Sequence, residues 1–460
     1  MFQSKKVTCT LALLAALLIV TAAQPSAGAV GSGGQKPPAA APAQPPKLNE
    51  AYVAALIDRI AVKLEKAYND EKKGKALAER IRAKHKAGAY AGLTDPLVLA
   101  DRITADLHGA VNDKHLRVNY STMAVLQPPD DPAKLDLIEQ EMKAASRKVN
   151  GGFRKAEILP GNVGYVKIDS FLHPSQAGEA AEHAMAFVAG ADALLFDLRD
   201  NGGGRPELVQ LVLSYLFRAS RPVHLNTVRK RENGSSTEYW TLPHVNGTRM
   251  PDVPVYVLTS SRTFSAAEEF AYDLQALKRG IVVGETTGGG ANPTFLEPLG
   301  DGFALLLPKE QAVNPHTGTN WEGVGVKPDM PVPASEALGK AYLDALGKLL
   351  AKARTDEEKR RLQWAIDDET SRQKPVKLEQ TQLSRLAGAY SGITVESADG
   401  GLSYKGEFTV RLIPVTAYEF RMEGIDDRRI RFETGKDGSI TGLITVFANG
   451  MEERRARMAK

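Results

Sequence analysis

Val255-Tyr256-Val257-Leu258, then Thr259-Ser260-Ser261-Arg262-Thr263-Phe264, then Ser265-Ala266-Ala267-Glu268-Glu269-Phe270 is the stretch that decides the fold. An unbroken run of apolar β-formers reads as a strand covered on both faces, and after a polar turn the pattern restarts at helical spacing over 265–276. The same alternation runs upstream: a strand over 163–168, a helix over 177–188, a buried strand over 193–198 and a helix over 207–217. A further strand over 281–283 continues it. This predicts an α/β core, layered βα-fashion around a largely buried sheet and ending near Pro333.

Outward from that core, Tyr52, Val53, Leu56, Ile57, Ile60 and Leu64 recur at helical spacing. Asp95-Pro96 then supplies a cap and a proline start for a helix carrying Leu99, Ile103 and Leu107. Residues 47–125 are therefore expected to form an N-terminal helical domain and 126–335 the core. Residues 336–376 read as a charged helical linker whose run Asp356-Glu357-Glu358-Lys359-Arg360-Arg361 is a solvated face. From 377 to 460, strands such as 408–412, 430–433 and 443–447 are punctuated by Asp399-Gly400, Asp426-Asp427 and Asp437-Gly438, the pattern of a small all-β barrel.

At the other end, Lys5 and Lys6 precede an apolar run over 11–20 and small residues ending in Ala27-Gly28-Ala29. That is the layout of a signal peptide over 1–29, its apolar run about half of the ~20 residues a spanning helix needs. No stable membrane anchor is expected after cleavage. Residues 30–46, almost wholly Gly, Pro, Ala and Gln, read as a flexible linker. The single cysteine, Cys9, lies inside the signal segment, so a cleaved chain has neither disulfide nor thiolate metal site and suits the periplasm or the exterior of a bacterial cell. Of 460 residues 43% are hydrophobic and 25% charged, as in ordinary globular proteins, and a formal charge of +4 with no basic block gives no reason to invoke nucleic acid.

Four places could carry chemistry. Ser265 opens a helix, where unpaired N–H groups and the helix dipole favour an alkoxide and an oxyanion. On spacing alone a helix cap is the favoured reading, with Glu268 completing a Ser-x-x-Glu capping box. Asp197-Leu198-Arg199-Asp200-Asn201-Gly202-Gly203-Gly204 follows a buried strand; its glycines either let backbone N–H groups approach a ligand or make a plain turn. Among the histidines, His115 in Val111-Asn112-Asp113-Lys114-His115 sits at a junction where a side chain can face a cleft, and Glu322 lies in the Gly-rich loop Asn320-Trp321-Glu322-Gly323. No metal-ligand spacing emerges, so neither metal nor cofactor is expected.

The blocks 197–204, 259–270, Ile281-Val282-Val283-Gly284-Glu285-Thr286-Thr287-Gly288-Gly289-Gly290 and 321–329, in that order, resemble the core of the carboxyl-terminal-processing, or tail-specific, serine peptidases. The resemblance implies a crotonase-like sheet and a serine nucleophile at Ser265, with Gly203 and Ala266 supplying oxyanion-hole N–H groups. One branch of that family pairs the serine with a lysine; here the matching position is Gly290. The other branch is similar to the tricorn core protease and to interphotoreceptor retinoid-binding protein repeats. It uses a histidine and a glutamate, which match His115 and Glu322, though Lys114 stands where that branch has a serine. Only about forty residues separate Tyr120 from Asn162, well short of the ~90 a PDZ domain needs, so none is expected. The implied function is an exported endopeptidase acting on peptides or unfolded proteins. The alternative on the same fold is a non-catalytic carrier of a hydrophobic ligand such as a retinoid or fatty acid.

Overall fold

The computed structural model describes residues 46–121, 132–398 and 400–459; the expected signal peptide and all but Pro46 of the linker lie outside the described residues. The chain divides into two compact units. The first holds the described residues up to Glu157 together with Tyr165–Gly190 and Leu194–Ser335, and the second holds Ile158–Gly164, Ala191–Ala193 and the chain from Glu336 onward.

The first unit begins with α1 (Glu50–Ala67), α2 (Glu71–Lys86) and α3 (Pro96–His108). Asn49, Asp70 and Asp95 cap them, each accepting a first-turn N–H on its side chain, and Pro96 opens α3 where its missing N–H costs nothing. A short strand follows, β1 (Arg117–Tyr120), then α4 (Pro132–Lys148), β2 (Phe153–Leu159), β3 (Val163–Ile168), α5 (Pro174–Phe187) and β4 (Ala193–Asp197). Next come α6 (Pro206–Ser214), β5 (His224–Lys230), β6 (Ser236–Trp240), β7 (Val255–Thr259), α7 (Ala266–Ala276) and β8 (Ile281–Gly284). The hairpin β9 (Thr294–Gly300) and β10 (Phe303–Pro308), then β11 (Glu310–Val313) and β12 (Met330–Pro331), complete it.

The central sheet has six strands in the order β12-β8-β7-β4-β3-β2, with β12, β8, β7 and β4 mutually parallel. Every residue of β4 and β7 is buried, which is why both read as continuous apolar runs rather than alternating ones. Parallel strands point the same way, so the turns after β4, β7 and β8 gather at one sheet end, where α/β sheets place their sites. The three N-terminal helices have no private core. Leu56, Ile60, Leu99 and Ile103 pack into one cluster with Leu299, Phe303 and Leu305 of the β9–β10 hairpin, and β1 pairs antiparallel with β10. That pairing carries the segment just before β1 into the core.

Helix α7 buries two carboxyl groups one turn apart, Glu269 and Asp273. Asn226 donates to Glu269 (3.0 Å) and Asn314 to Asp273 (2.9 Å), yet burial pushes both carboxyls well above the usual range, each against the charge of a neighbouring acid. The folded chain therefore keeps protons that the unfolded chain releases above about pH 4, and stability falls as pH rises through the folded-state values. Glu269→Gln, which can still accept from Asn226, is expected to match the parent near pH 4.5 and to exceed it by on the order of 2 kcal/mol at pH 8 in urea melts. Equal stability at pH 8 would mean that the carboxylate ionises in place without cost.

The second unit contains α8 (Ala337–Leu350), α9 (Asp356–Gln373), α10 (Gln380–Leu386) and eight antiparallel strands in sequential order. A bridge between Tyr390 and Arg457 brings the first strand to the end of the last, so the meander nearly closes into a barrel, filled by Tyr390, Leu402, Phe420, Ile430 and Phe432. The expected linker is two helices with a buried face of Ala341, Tyr342, Leu346, Leu362 and Ala365, while residues 356–359 are exposed as read. The Asp426-Asp427 pair is not a turn. It lies within the strand Ile425–Thr434, and the reversal is at Glu423-Gly424, where Gly424 takes φ +76°.

Candidate active site

Ser265 is the last residue of the turn between β7 and α7, and its backbone has φ 56° and ψ −125°. An ordinary N-cap is extended with negative φ. A non-glycine residue in this region costs on the order of 1–3 kcal/mol, strain that surrounding contacts must impose. Those contacts are present. Thr263 donates its hydroxyl to the Leu198 carbonyl (2.8 Å), the Phe264 N–H goes to the Asn201 carbonyl (3.1 Å), and the Ser260 hydroxyl goes to the Arg199 carbonyl. Asp197, at the end of β4, accepts from the Tyr165 hydroxyl (2.7 Å) and twice from the Arg199 guanidinium (2.9 and 2.6 Å), fixing the loop on which the serine turn rests.

Glu268 is fully buried and accepts the N–H groups of Ser265 (2.9 Å), Gly289 (2.6 Å) and Gly290 (2.8 Å), together with the Thr287 hydroxyl. Burial pushes its carboxyl up and these bonds pull it down, with the net upward. The capping glutamate thus ties the serine turn to the 287–290 loop.

The glycine run lies against the serine. A Cβ on Gly203 (φ +106°) would stand 2.6 Å from Ser265 Cβ and 3.1 Å from the Ala266 nitrogen, and one on Gly204 would stand 1.9 Å from the Phe171 carbonyl oxygen. Only glycine allows this approach. Ala266 is the first residue of α7, where N–H groups lack intrahelical partners. The Gly203 N–H, by contrast, donates to Asn201 Oδ1 at 2.8 Å, so it serves an oxyanion only by sharing or leaving that acceptor.

His115 is set by Asp113, whose Oδ1 accepts the N–H groups of His115 (3.1 Å) and Leu116 (3.3 Å) and whose Oδ2 accepts the Tyr68 hydroxyl (2.7 Å). The imidazole packs against Phe264, the neighbour of Ser265, with ring centroids 4.5 Å apart. Its Nδ1 is buried without a hydrogen-bond partner, and burial, aided by the charge of Arg117, lowers its pKa to about 4. Lys114, in place of the branch's serine, donates to the Gly288 carbonyl (2.7 Å).

Glu322 enters from the Trp-Glu-Gly loop. That loop is anchored by Trp321 Nε1 to the Gly290 carbonyl (2.9 Å), the Gly323 N–H to the Gly289 carbonyl (2.9 Å) and Asn112 Nδ2 to the Gly323 carbonyl (2.6 Å). Glu322 Oε2 accepts from Ala291 (2.7 Å) and Asn292 (3.1 Å), while Oε1 is buried and unpartnered. Burial first, then the charge of Asp113, pushes its pKa up to about 7. One donor atom each from Asp113, His115 and Glu322 lies within 4.8 Å of the others. His115 and Glu322 thus share one cluster with Asp113, Gly203 lies against Ser265, and the His115 ring touches Phe264 beside that serine; Tyr68 and Asn201 hold Asp113 and Gly203 in turn. An Asp two residues before a loop histidine is an Asx-turn signal, the one cue that could have flagged Asp113.

A Cβ on Gly290 would stand 2.2 Å from the Phe264 ring and 2.7 Å from His115 Cε1, so the imidazole occupies the space that a side chain at 290 would need. Gly290→Lys is expected to displace His115 and Phe264 and to lower any peptidase kcat/KM at least ~10²-fold, because an error of about 1 Å in a reacting group has that effect. Unchanged turnover in a peptide assay would remove His115 from the chemistry.

Residues 162–332 match the sequence model of peptidase family S41. The chain is 29% identical over 186 residues to carboxyl-terminal-processing peptidase 2 of Arabidopsis thaliana chloroplasts, covering 38% of this chain and 34% of that one. It is 30% identical over 172 residues to the carboxyl-terminal-processing protease of Synechocystis, covering 36% and 37%. The curated relatives are thus matched over about a third to under half of their length. Among solved structures, the tricorn protease aligns with a TM-score of 0.42 at 13% identity, over 63% of this chain and 35% of that one. Over 162–332, then, the chain is similar to peptidase family S41, and the carboxyl-terminal-processing peptidases are the relatives it matches.

Proposed function

We propose that the chain is an exported serine endopeptidase that hydrolyses peptides or unfolded proteins through Ser265, His115 and Glu322. The observation that carries this reading is the strained Ser265 backbone at the mouth of α7, with the His115 ring packed on the adjacent Phe264. A hydrophobic-ligand carrier needs neither feature, and the carrier alternative is not favoured.

Ser265 Oγ attacks the scissile carbonyl as His115 takes its proton through Nε2. A neutral imidazole is required for that step, and a pKa near 4 keeps it neutral. The tetrahedral oxyanion forms at the start of α7, where the Ala266 N–H and the helix dipole stabilise it, with the Gly203 N–H exchanging Asn201 for the substrate oxygen. Glu322, with a carboxylate oxygen within 4.8 Å of an imidazole nitrogen, stabilises the imidazolium, which then protonates the leaving amine; water repeats the sequence on the acyl-enzyme. The segment between Ser121 and Val163, where the family carries its PDZ domain, contributes α4 and β2, so substrate selection is assigned elsewhere in the chain.

The test is incubation of the purified chain with an unfolded protein and mapping of new termini by mass spectrometry. The reading requires cleavage by the parent and none by a folded Ser265→Ala variant. Identical cleavage by both, or none by a folded parent, overturns it.

A further inference from the structure

We infer that Asp113, His115 and Glu322 form a binding site for a divalent transition-metal ion of the zinc type. The donors are already aimed. Asp113 is held by two backbone N–H groups and the Tyr68 hydroxyl, Glu322 by two N–H groups on Oε2 alone, and one donor atom from each residue lies within 4.8 Å of the other two. Glu322 Oε1 and His115 Nδ1 are both sealed from solvent without a hydrogen-bond partner, and His115 as a residue is only 8% exposed. Among the described residues neither carboxylate has a Lys or Arg within ion-pair distance. Two buried acids and an unpartnered imidazole lack a cation, and a divalent ion satisfies all three.

The ligand chemistry selects the ion. One imidazole and two carboxylates suit Zn²⁺, and Co²⁺ or Mn²⁺ less tightly, whereas Ca²⁺ and Mg²⁺ prefer oxygen alone. Ligand atoms around tetrahedral zinc stand about 3.3 Å apart, so the cluster must contract by roughly 1.5 Å, within reach of a Glu322 side-chain rotation. The Tyr68 hydroxyl on Asp113 and the N–H groups of Ala291 and Asn292 on Glu322 hold the carboxylates in orientation. A cavity of about 650 Å³, lined among others by Tyr68, Asp70, Asn112, Asp113, Asn292 and Glu322, borders the two carboxylates, while His115 lies behind its wall. The cavity gives the ion a route to both carboxylates, and water from it fills the open position.

The consequence for turnover rests on the peptidase reading; the binding does not. A metal on Nδ1 fixes the ring proton on Nε2, which then cannot accept the serine proton, and it occupies the carboxylate that would stabilise the imidazolium. Zinc thus switches cleavage off while Ser265 stays accessible.

The experiment is calorimetric titration of Zn²⁺ into the chelator-stripped chain, its Ser265→Ala variant, and folded Glu322→Gln and His115→Ala variants, with peptide cleavage followed in parallel. Expected are about one equivalent bound by the parent and by Ser265→Ala alike, affinity lower by 10²-fold or more in the other two, and a fall in kcat at constant KM that EDTA reverses. No binding by the parent, or binding that survives both ligand substitutions, overturns the proposal. Binding without any peptidase activity would leave the site standing and count against the peptidase reading alone.

Discussion

Ser265→Ala, His115→Ala and the double variant are expected to lower kcat/KM by the same factor, on the order of 10⁵, rather than by multiplying factors. The serine is a weak nucleophile until the imidazole takes its proton, and the imidazole has nothing to do without the serine, so either loss removes the whole unit. Residual turnover then comes from oxyanion stabilisation at the start of α7. A continuous assay on a peptide spanning a mapped cleavage site measures all three variants. Additive losses would show that the two residues act in separate steps. A companion effect follows from the backbone: Ser265→Gly removes the penalty of φ 56° and is expected to stabilise the fold by about 1 kcal/mol while abolishing cleavage.

Glu268→Ala carries the largest expected loss of stability. The carboxylate accepts the N–H groups of Ser265, Gly289 and Gly290, the last two in buried bonds. Each orphaned N–H costs roughly 1–3 kcal/mol, so the variant should lose about 3–9 kcal/mol in urea melts. Glu268→Gln keeps the shape and one acceptor and should fall between. Activity fails with stability because the same carboxylate positions the serine turn and the loop that borders His115. A Glu268→Ala variant as stable as the parent would mean that the turn is held by its contacts to 198–201 alone.

These two expectations explain why the capping and catalytic readings of Ser265 competed in the sequence without contradiction. A capping box and a nucleophile turn use the same Ser-x-x-Glu spacing, and only the backbone angles separate them. The parallel core was legible because β4 and β7 are apolar throughout, and α3 because Asp95-Pro96 marks its start. What stayed illegible was non-local. The β9–β10 hairpin pairs with β1 and closes the helical core, and that pairing, not any local motif, delivers His115 to Phe264. Asp426-Asp427 looked like a turn because two exposed acids interrupt the alternation of a strand, while the glycine that makes the turn stands two residues earlier. Asp113 passed unnoticed because its partners, Tyr68 and Glu322, come from other parts of the sequence.

The most direct test of the central claim is covalent labelling with a fluorophosphonate, a reagent that phosphonylates only a serine whose proton is taken by a neighbouring base. Peptide mapping of the labelled chain should place one adduct on Ser265 in the parent and none in folded His115→Ala. An adduct on a different residue, or Ser265 labelled equally with and without His115, would contradict the account.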